Sequence, residues 1–175
     1  RPGTQEEGRD RFILSKGHAA LALYGALRWK GLIDETAFRS FCQDGSLLGV
    51  HPHHTLPGVD VSTGSLGMGL SIGCGLAHGL RLRGHDARVF VLVSDAECNE
   101  GQVWEAAMTA AHYKLDNLCA LIDNNGLQID GPVAKVMGVE PITDKWRSFG
   151  WEVFDIDGHD MGQIVAALDK ADAVK

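Results

Sequence analysis

The sequence predicts an α/β domain built on a doubly wound, mostly parallel sheet with helices on both faces. Three observations carry this. Residues 89–93 and 118–122 are short, almost purely apolar runs, the pattern of strands buried on both faces. Between them Val103, Ala106, Ala107, Ala110 and Ala111 recur at three- and four-residue spacing, predicting a helix over 102–114. Polar residues close each run, Ser94-Asp95 after the first and Asp123-Asn124-Asn125 after the second. Parallel strands joined through a helix put both carboxyl ends on one edge of the sheet, where open α/β sheets bind ligands. Asp95 and Asn125 therefore face one crevice. Two hard oxygen ligands there suit Mg²⁺, which takes few protein ligands and completes its shell from phosphate and water.

The other elements follow in chain order. A helix is expected over 17–30 and a second over 34–42, with Asp34 as N-cap. Residues 44–60 form a loop rich in Gly, Pro and His, of the kind that carries function. A helix starts near Leu66; Gly69, Gly73, Gly75 and Ala77 allow it close packing, while Met68, Leu70, Ile72 and Leu76 read as core. The glycines of 67–73 miss the dinucleotide-loop spacing by one residue, and no strand precedes them. Residues 132–144 look irregular, 144–150 helical, 151–156 a strand and 161–173 the last helix. The segment Asp157-Gly-His-Asp160 reads as a strand-end turn that caps this helix through Asp160. Asn124-Asn125-Gly126 taken alone would suit a hairpin turn.

Composition narrows the function classes. The 175 residues make a single domain, 45% hydrophobic and 22% charged. A net charge of −7 gives no attraction to nucleic acid or an anionic membrane surface. Cys42, Cys74, Cys98 and Cys119 are widely spaced, without the framework of a disulfide-rich secreted domain, and predict reduced thiols and a cytoplasmic location. No run reaches membrane-spanning length, and no signal peptide is visible. The cluster His51-Pro-His53-His54 lacks the Cys/His partners a zinc site needs. The chain opens at Arg1 without methionine and is expected to be trimmed at both ends.

At the two strand ends the chain resembles the thiamine diphosphate enzymes, whose fingerprint is Gly-Asp-Gly followed one strand–helix–strand unit later by Asn-Asn. Within them it is similar to transketolase in Asn99-Glu-Gly-Gln-Val-Trp-Glu-Ala-Ala-Met, Lys114-Leu-Asp-Asn-Leu and Asn125-Gly-Leu-Gln-Ile-Asp-Gly. Upstream, Leu14-Ser-Lys-Gly-His18-Ala, Gly49-Val-His51-Pro and Thr63-Gly-Ser-Leu-Gly-Met-Gly resemble further family segments. The wording at Tyr113-Lys-Leu-Asp-Asn and Asp144-Lys-Trp-Arg resembles the amino-terminal subunit of split, two-chain transketolases.

This resemblance implies thiamine diphosphate and Mg²⁺ (Ca²⁺ or Mn²⁺ able to stand in) as cofactors. The metal ligands would be the side chains of Asp95 and Asn125 and the carbonyl of Leu127. His18 would lie beside the diphosphate and reacting carbon, and His51 would bond substrate hydroxyls; imidazoles suit proton transfer near neutral pH. Gly64 and Leu66 would contact the aminopyrimidine and thiazolium side. Ala96 and Glu97, flanking the acid, complete the cofactor-contacting set, although on residue grounds Glu97, Glu105 and Asp123 read as structural. Glu100 would join an acidic network across an interface, where the residue alone suggests a carboxylate favourable to a helix N-terminus.

One departure stands out: the family's Gly-Asp-Gly is here Ser94-Asp95-Ala96. A left-handed Ala96 would cost roughly 1–2 kcal/mol. The family's pyrimidine-binding domain, with its activating glutamate, has no counterpart in these residues. The implied activity is transfer of a two-carbon ketol unit from a ketose to an aldehyde or activated acyl acceptor. It would need a carboxy-terminal pyrimidine-binding partner, two such pairs forming a heterotetramer. The alternatives are a 2-oxo acid dehydrogenase-type thiamine enzyme and a degenerate, non-catalytic member of such a complex.

Overall fold

A computed structural model describes residues 8–174, so the ends of the expected 1–175 domain lie outside the described residues. Its centre is a parallel sheet of β1 (Arg11–Leu14), β2 (Val89–Ser94) and β3 (Leu118–Asp123), in the order β1-β2-β3. Register pairs Leu14 with Leu92 and Ser94 with Asp123, so all three carboxyl ends reach the same edge. The α/β class and the parallel sheet stand as the sequence predicts.

Helices cover both faces. Val89, Val91 and Val93 point to one side, where α3 (Met68–Leu82) and α4 (Gly101–His112) complete the main core. Close approach here depends on glycine: a Cβ on Gly73 would stand 2.6 Å from Val91, and one on Gly69 would stand 2.4 Å from Ser15. Gly75, expected to serve the same purpose, faces open space. Met68 is exposed, not core, because it lies across the helix from buried Leu70, Cys74 and Ala77. The opposite sheet face presents Phe12, Phe90 and Leu121 to Leu168 of α7 (Met161–Asp172). Arg88 fastens that helix by donating to the carbonyls of Ala171 and Asp172. Asp160 caps it, accepting from the N–H groups of Gly162 and Gln163 at 2.8 and 3.2 Å.

A second cluster forms around α1 (Ala20–Trp29) and α2 (Glu35–Arg39), with buried Tyr24, Leu27, Leu48 and Leu56. Asp34 caps α2 by accepting from Ala37 at 2.7 Å. Both helices are shorter than expected. Gly17–Ala19 is a 3-10 turn leading into α1. α2 ends early because Cys42 takes φ +57° and donates its N–H to Leu48. After β3 comes a two-strand hairpin, β4 (Leu127–Gln128) and β5 (Gly131–Pro132), which the sequence did not announce. Its turn is Ile129-Asp130, not Asn-Gly. The short α5 (Val133–Val136) and α6 (Ile142–Ser148) follow.

The expected strand over 151–156 pairs with no other strand among the described residues. Its apolar pattern reflects packing instead. Trp151 and Val153 lie against the main core, and the Trp151 indole donates to the Ala107 carbonyl of α4 at 3.0 Å.

Candidate cofactor site at the carboxyl edge of the sheet

Asp95 follows the last residue of β2 and is fully buried. Its Oδ1 accepts from the Ala96 N–H and its Oδ2 from the Gly126 N–H, both at 2.8 Å. The second bond ties the acid to the loop carrying Asn125, so the two strand ends meet as the register requires. That loop turns at Gly126, with φ +71°. Among the described residues Asp95 has no Lys or Arg ion-pair partner. Burying a carboxylate is costly unless it is paired or coordinates a metal, and two backbone donors are a thin substitute. The donor set therefore fits a divalent cation.

Ala96 opens a 3-10 turn, Ala96–Asn99, and is absent from the residues of positive φ. Asp95 itself is right-handed, at φ −56° and ψ −43°. No left-handed backbone is demanded here, so the strain anticipated for replacing the family's glycine does not arise.

Asn125 is exposed and oriented at both ends. Its Nδ2 donates to Asp123 Oδ2 at 3.1 Å, and its Oδ1 accepts the Leu127 N–H at 2.9 Å. Asp123 in turn accepts from Lys16. Burial works against the Asp123 charge, yet the Lys16 hydrogen bond and charge, helped by Asn125, hold its carboxyl below the usual carboxylate range. Lys16 belongs to the Ser-Lys-Gly-His segment, but nothing in its spacing marked it for this role.

Glu97 is fully buried, and its oxygens are taken by protein donors: Ser15 Oγ at 2.7 Å, the Gly67 N–H at 2.8 Å and the Ser94 N–H at 2.9 Å. A carboxylate so enclosed spends its acceptors on the interior and not on the crevice. Instead it joins the ends of β1 and β2 to the start of α3. The Ser94 hydroxyl adds to this knot by accepting the Glu97 N–H at 3.3 Å.

The upstream segments converge on the same edge. Gly17 packs on the Thr63–Gly64 backbone, where a Cβ would stand 2.9 Å from the Gly64 nitrogen. Gly64, at φ +151°, lies under the His51 ring, whose carbons would be 3.2 Å from any Cβ. Both features disfavour a side chain at Gly64. Thr63 Oγ1 donates to the Leu14 carbonyl at 2.6 Å. Buried Tyr24, which the sequence did not single out, holds the histidine loop by donating to the Gly49 and His51 carbonyls at 3.0 and 3.1 Å. His18 and His51 are both exposed. The Leu66 carbonyl accepts from Gln102 Nε2 at 2.8 Å, joining this turn to α4. Glu100 stands exposed at the N-terminus of α4, and its side chain makes no capping bond. Among the described residues no three His, Cys, Asp or Glu side chains form a metal cluster, and no helix is long and apolar enough to cross a membrane.

Known proteins resemble this chain over most of its length. The family described as the transketolase thiamine diphosphate binding domain matches residues 3–175. An apulose-4-phosphate transketolase subunit from Phocaeicola vulgatus is 43% identical over 96% of this chain and 60% of its own length. The 6-deoxy-6-sulfo-D-fructose transketolase subunit SqwG of a Clostridium species is 42% identical over 97% of this chain and 62% of its own. Transketolase from Leishmania mexicana superposes with a TM-score of 0.91 at 30% identity, covering 100% of this chain and 28% of that one. The chain thus spans about three-fifths of the subunits it resembles and about a quarter of the larger transketolases. Sequence match over nearly every residue, and a backbone that follows solved transketolases throughout, lead to one conclusion: the chain belongs to the transketolase family, in its thiamine diphosphate binding domain.

Proposed function

We propose that this chain is the diphosphate-binding subunit of a two-chain transketolase, acting with thiamine diphosphate and Mg²⁺ to transfer a two-carbon ketol unit from a ketose. The observation that carries the reading is the buried, cation-less Asp95 carboxylate bonded to the loop that bears Asn125. Asp95, Asn125 and the Leu127 carbonyl hold the metal, which neutralises the diphosphate in a chain of net charge −7. The bound cofactor supplies the carbanion chemistry, and the protein supplies orientation and electrostatics. His18 and His51 hold hydroxyls and move protons at the substrate, from exposed positions beside the glycine turn. Gly64 and Leu66 border the ring end of the cofactor. Ala96 sits at the diphosphate end through its backbone, and Glu97 acts from behind as a brace.

The partner is a pyrimidine-binding subunit, and two pairs make a heterotetramer. Similar proteins that are named as transketolase subunits support a divided enzyme. Glu100, exposed and uncommitted to capping, suits an acidic contact across that interface. Unstrained Ala96 removes the main argument for a degenerate, inactive role. The substrate is a ketose, and the location is cytoplasmic.

Asp95→Ala tests the metal assignment. Stranding the diphosphate and metal charges without their buried ligand costs roughly 3–5 kcal/mol, by analogy with breaking a buried ion pair. Calorimetric titration of the assembled protein with thiamine diphosphate and Mg²⁺ reads this as loss of metal-dependent affinity. Unchanged affinity refutes the assignment. Turnover of a 2-oxo acid but of no ketose donor would instead favour the decarboxylating class.

A further inference from the structure

We infer that Lys16 and Asp123 are a positioning pair that turns the Asn125 carboxamide so that its oxygen, not its nitrogen, is presented to a cation. The inference rests on the proposed metal role of Asn125 and names what enforces it. A carboxamide has an accepting end and a donating end of nearly equal shape, and only the oxygen can ligate a hard cation. Left alone on an exposed loop, such a group presents either end.

Asp123 removes that freedom. As a carboxylate it only accepts, and it takes the Asn125 Nδ2 at 3.1 Å. The amide oxygen must then lie on the far side, where it accepts the Leu127 N–H at 2.9 Å. Asp123 is itself fixed from two directions. Its carbonyl accepts the Asp95 N–H at 3.1 Å, so both proposed ligands are referenced to one strand end. Its Oδ2 is held by Lys16 Nζ, which arrives from the end of β1.

The exposures of this pair are unequal. The Lys16 side chain is 9% exposed and that of Asp123 is 40%. A lysine so far out of water forfeits hydration, while a partner so open to solvent gives only a screened attraction in return. As a device for stability the pair is poor. As a means of fixing an amide orientation it is effective, because Lys16 pins in place the same Asp123 oxygen, Oδ2, that accepts the Asn125 amide nitrogen. Groups that orient metal ligands in this way typically govern metal affinity by 10–100-fold.

The test uses the assembled protein saturated with thiamine diphosphate, with Mn²⁺ binding read by electron paramagnetic resonance. Asp123→Asn keeps the size of the side chain, but its amide both donates and accepts, so Asn125 can turn its nitrogen inward. Lys16→Met removes the cation and keeps the length. Each should weaken Mn²⁺ binding about tenfold with the urea unfolding midpoint unmoved, and Lys16→Arg should restore most of the loss. The decisive readout is the double-mutant cycle with Asn125→Ala. If the pair acts through the amide, Asp123→Asn and Lys16→Met have no further effect once Asn125 is gone. Additive losses in that cycle, or wild-type Mn²⁺ affinity in both single variants, overturn the inference. Should Asp123→Asn fold poorly, Lys16→Met carries the cycle alone. A wild-type protein that takes up no Mn²⁺ overturns the metal reading itself, an outcome distinct from additivity in a protein that does bind.

Discussion

At the scale of single residues, what looks like damage to a motif turns out to be neutral in backbone terms. Ser94 and Ala96 stand where the family has glycines, yet Asp95 and Ala96 lie in right-handed conformations and the carboxylate keeps two backbone donors. Glycine has no advantage where φ is negative, and it loses more chain entropy on folding than alanine. Ala96→Gly should therefore leave cofactor affinity unchanged while lowering stability by roughly 0.5–1 kcal/mol. Urea unfolding and calorimetric titration of the same preparation check both halves. A gain in cofactor affinity would mean that the bound state requires a backbone different from this one. Asp95 and Asn125 were legible because acid and amide end two obvious strands. Lys16 and Glu97 were not, because their roles depend on contacts across 107 and 82 residues that no local pattern encodes.

At the scale of elements, the site is held by one internal carboxylate more than by any helix or strand. Glu97 gathers donors from Ser15, Gly67 and Ser94, three residues belonging to three different segments of the proposed cofactor cradle. Removing one partner from a buried hydrogen-bonded group costs about 1–3 kcal/mol. Glu97→Gln offers one acceptor and one donor where two acceptors are needed, so at least one buried N–H or O–H is left facing a donor. We expect a loss of that size in urea unfolding. Hydrogen exchange should also be faster at the Gly67 or Ser94 amide, whichever the new amide nitrogen confronts. Wild-type protection at both amides would show that Glu97 is a bystander. Periodicity identified β2, β3, α3 and α4 around this knot but missed β1, and it erred at element ends. Cys42 leaves the helical region for a contact with Leu48, and residues 151–156 spend their apolar side chains on α4 and α6 without joining a sheet. In both places tertiary contacts overrode the local pattern.

For the whole molecule, β2, β3 and the edge they share follow from the spacing of apolar residues, whereas β1 and the state of the interior thiols need the folded structure. Cys74 lies against α4, and Cys98 sits in the turn behind Asp95. Burial pushes the Cys74 thiol up to about 11. Burial pushes the Cys98 thiol up to about 12, and the carboxylates of Glu97 and Asp95 add to the rise. A thiol whose pKa is higher folded than unfolded stabilises the fold by staying protonated. That contribution is complete below the unfolded value near 9 and is lost as pH climbs towards 11 and then 12. Above pH 9 the unfolded chain releases these protons and the folded chain keeps them, so stability falls by roughly 1.4 kcal/mol per pH unit for each such thiol. Urea midpoints measured between pH 8 and pH 10.5 should therefore decline in the wild type, and less steeply in Cys98→Ala. A thiol reagent at pH 8 should label exposed Cys42 in the folded protein and reach Cys74 and Cys98 only on unfolding. Equal labelling of Cys42 and Cys98 without denaturant would show that the turn behind Asp95 opens readily, and the rigid carboxylate on which metal binding depends would then be absent.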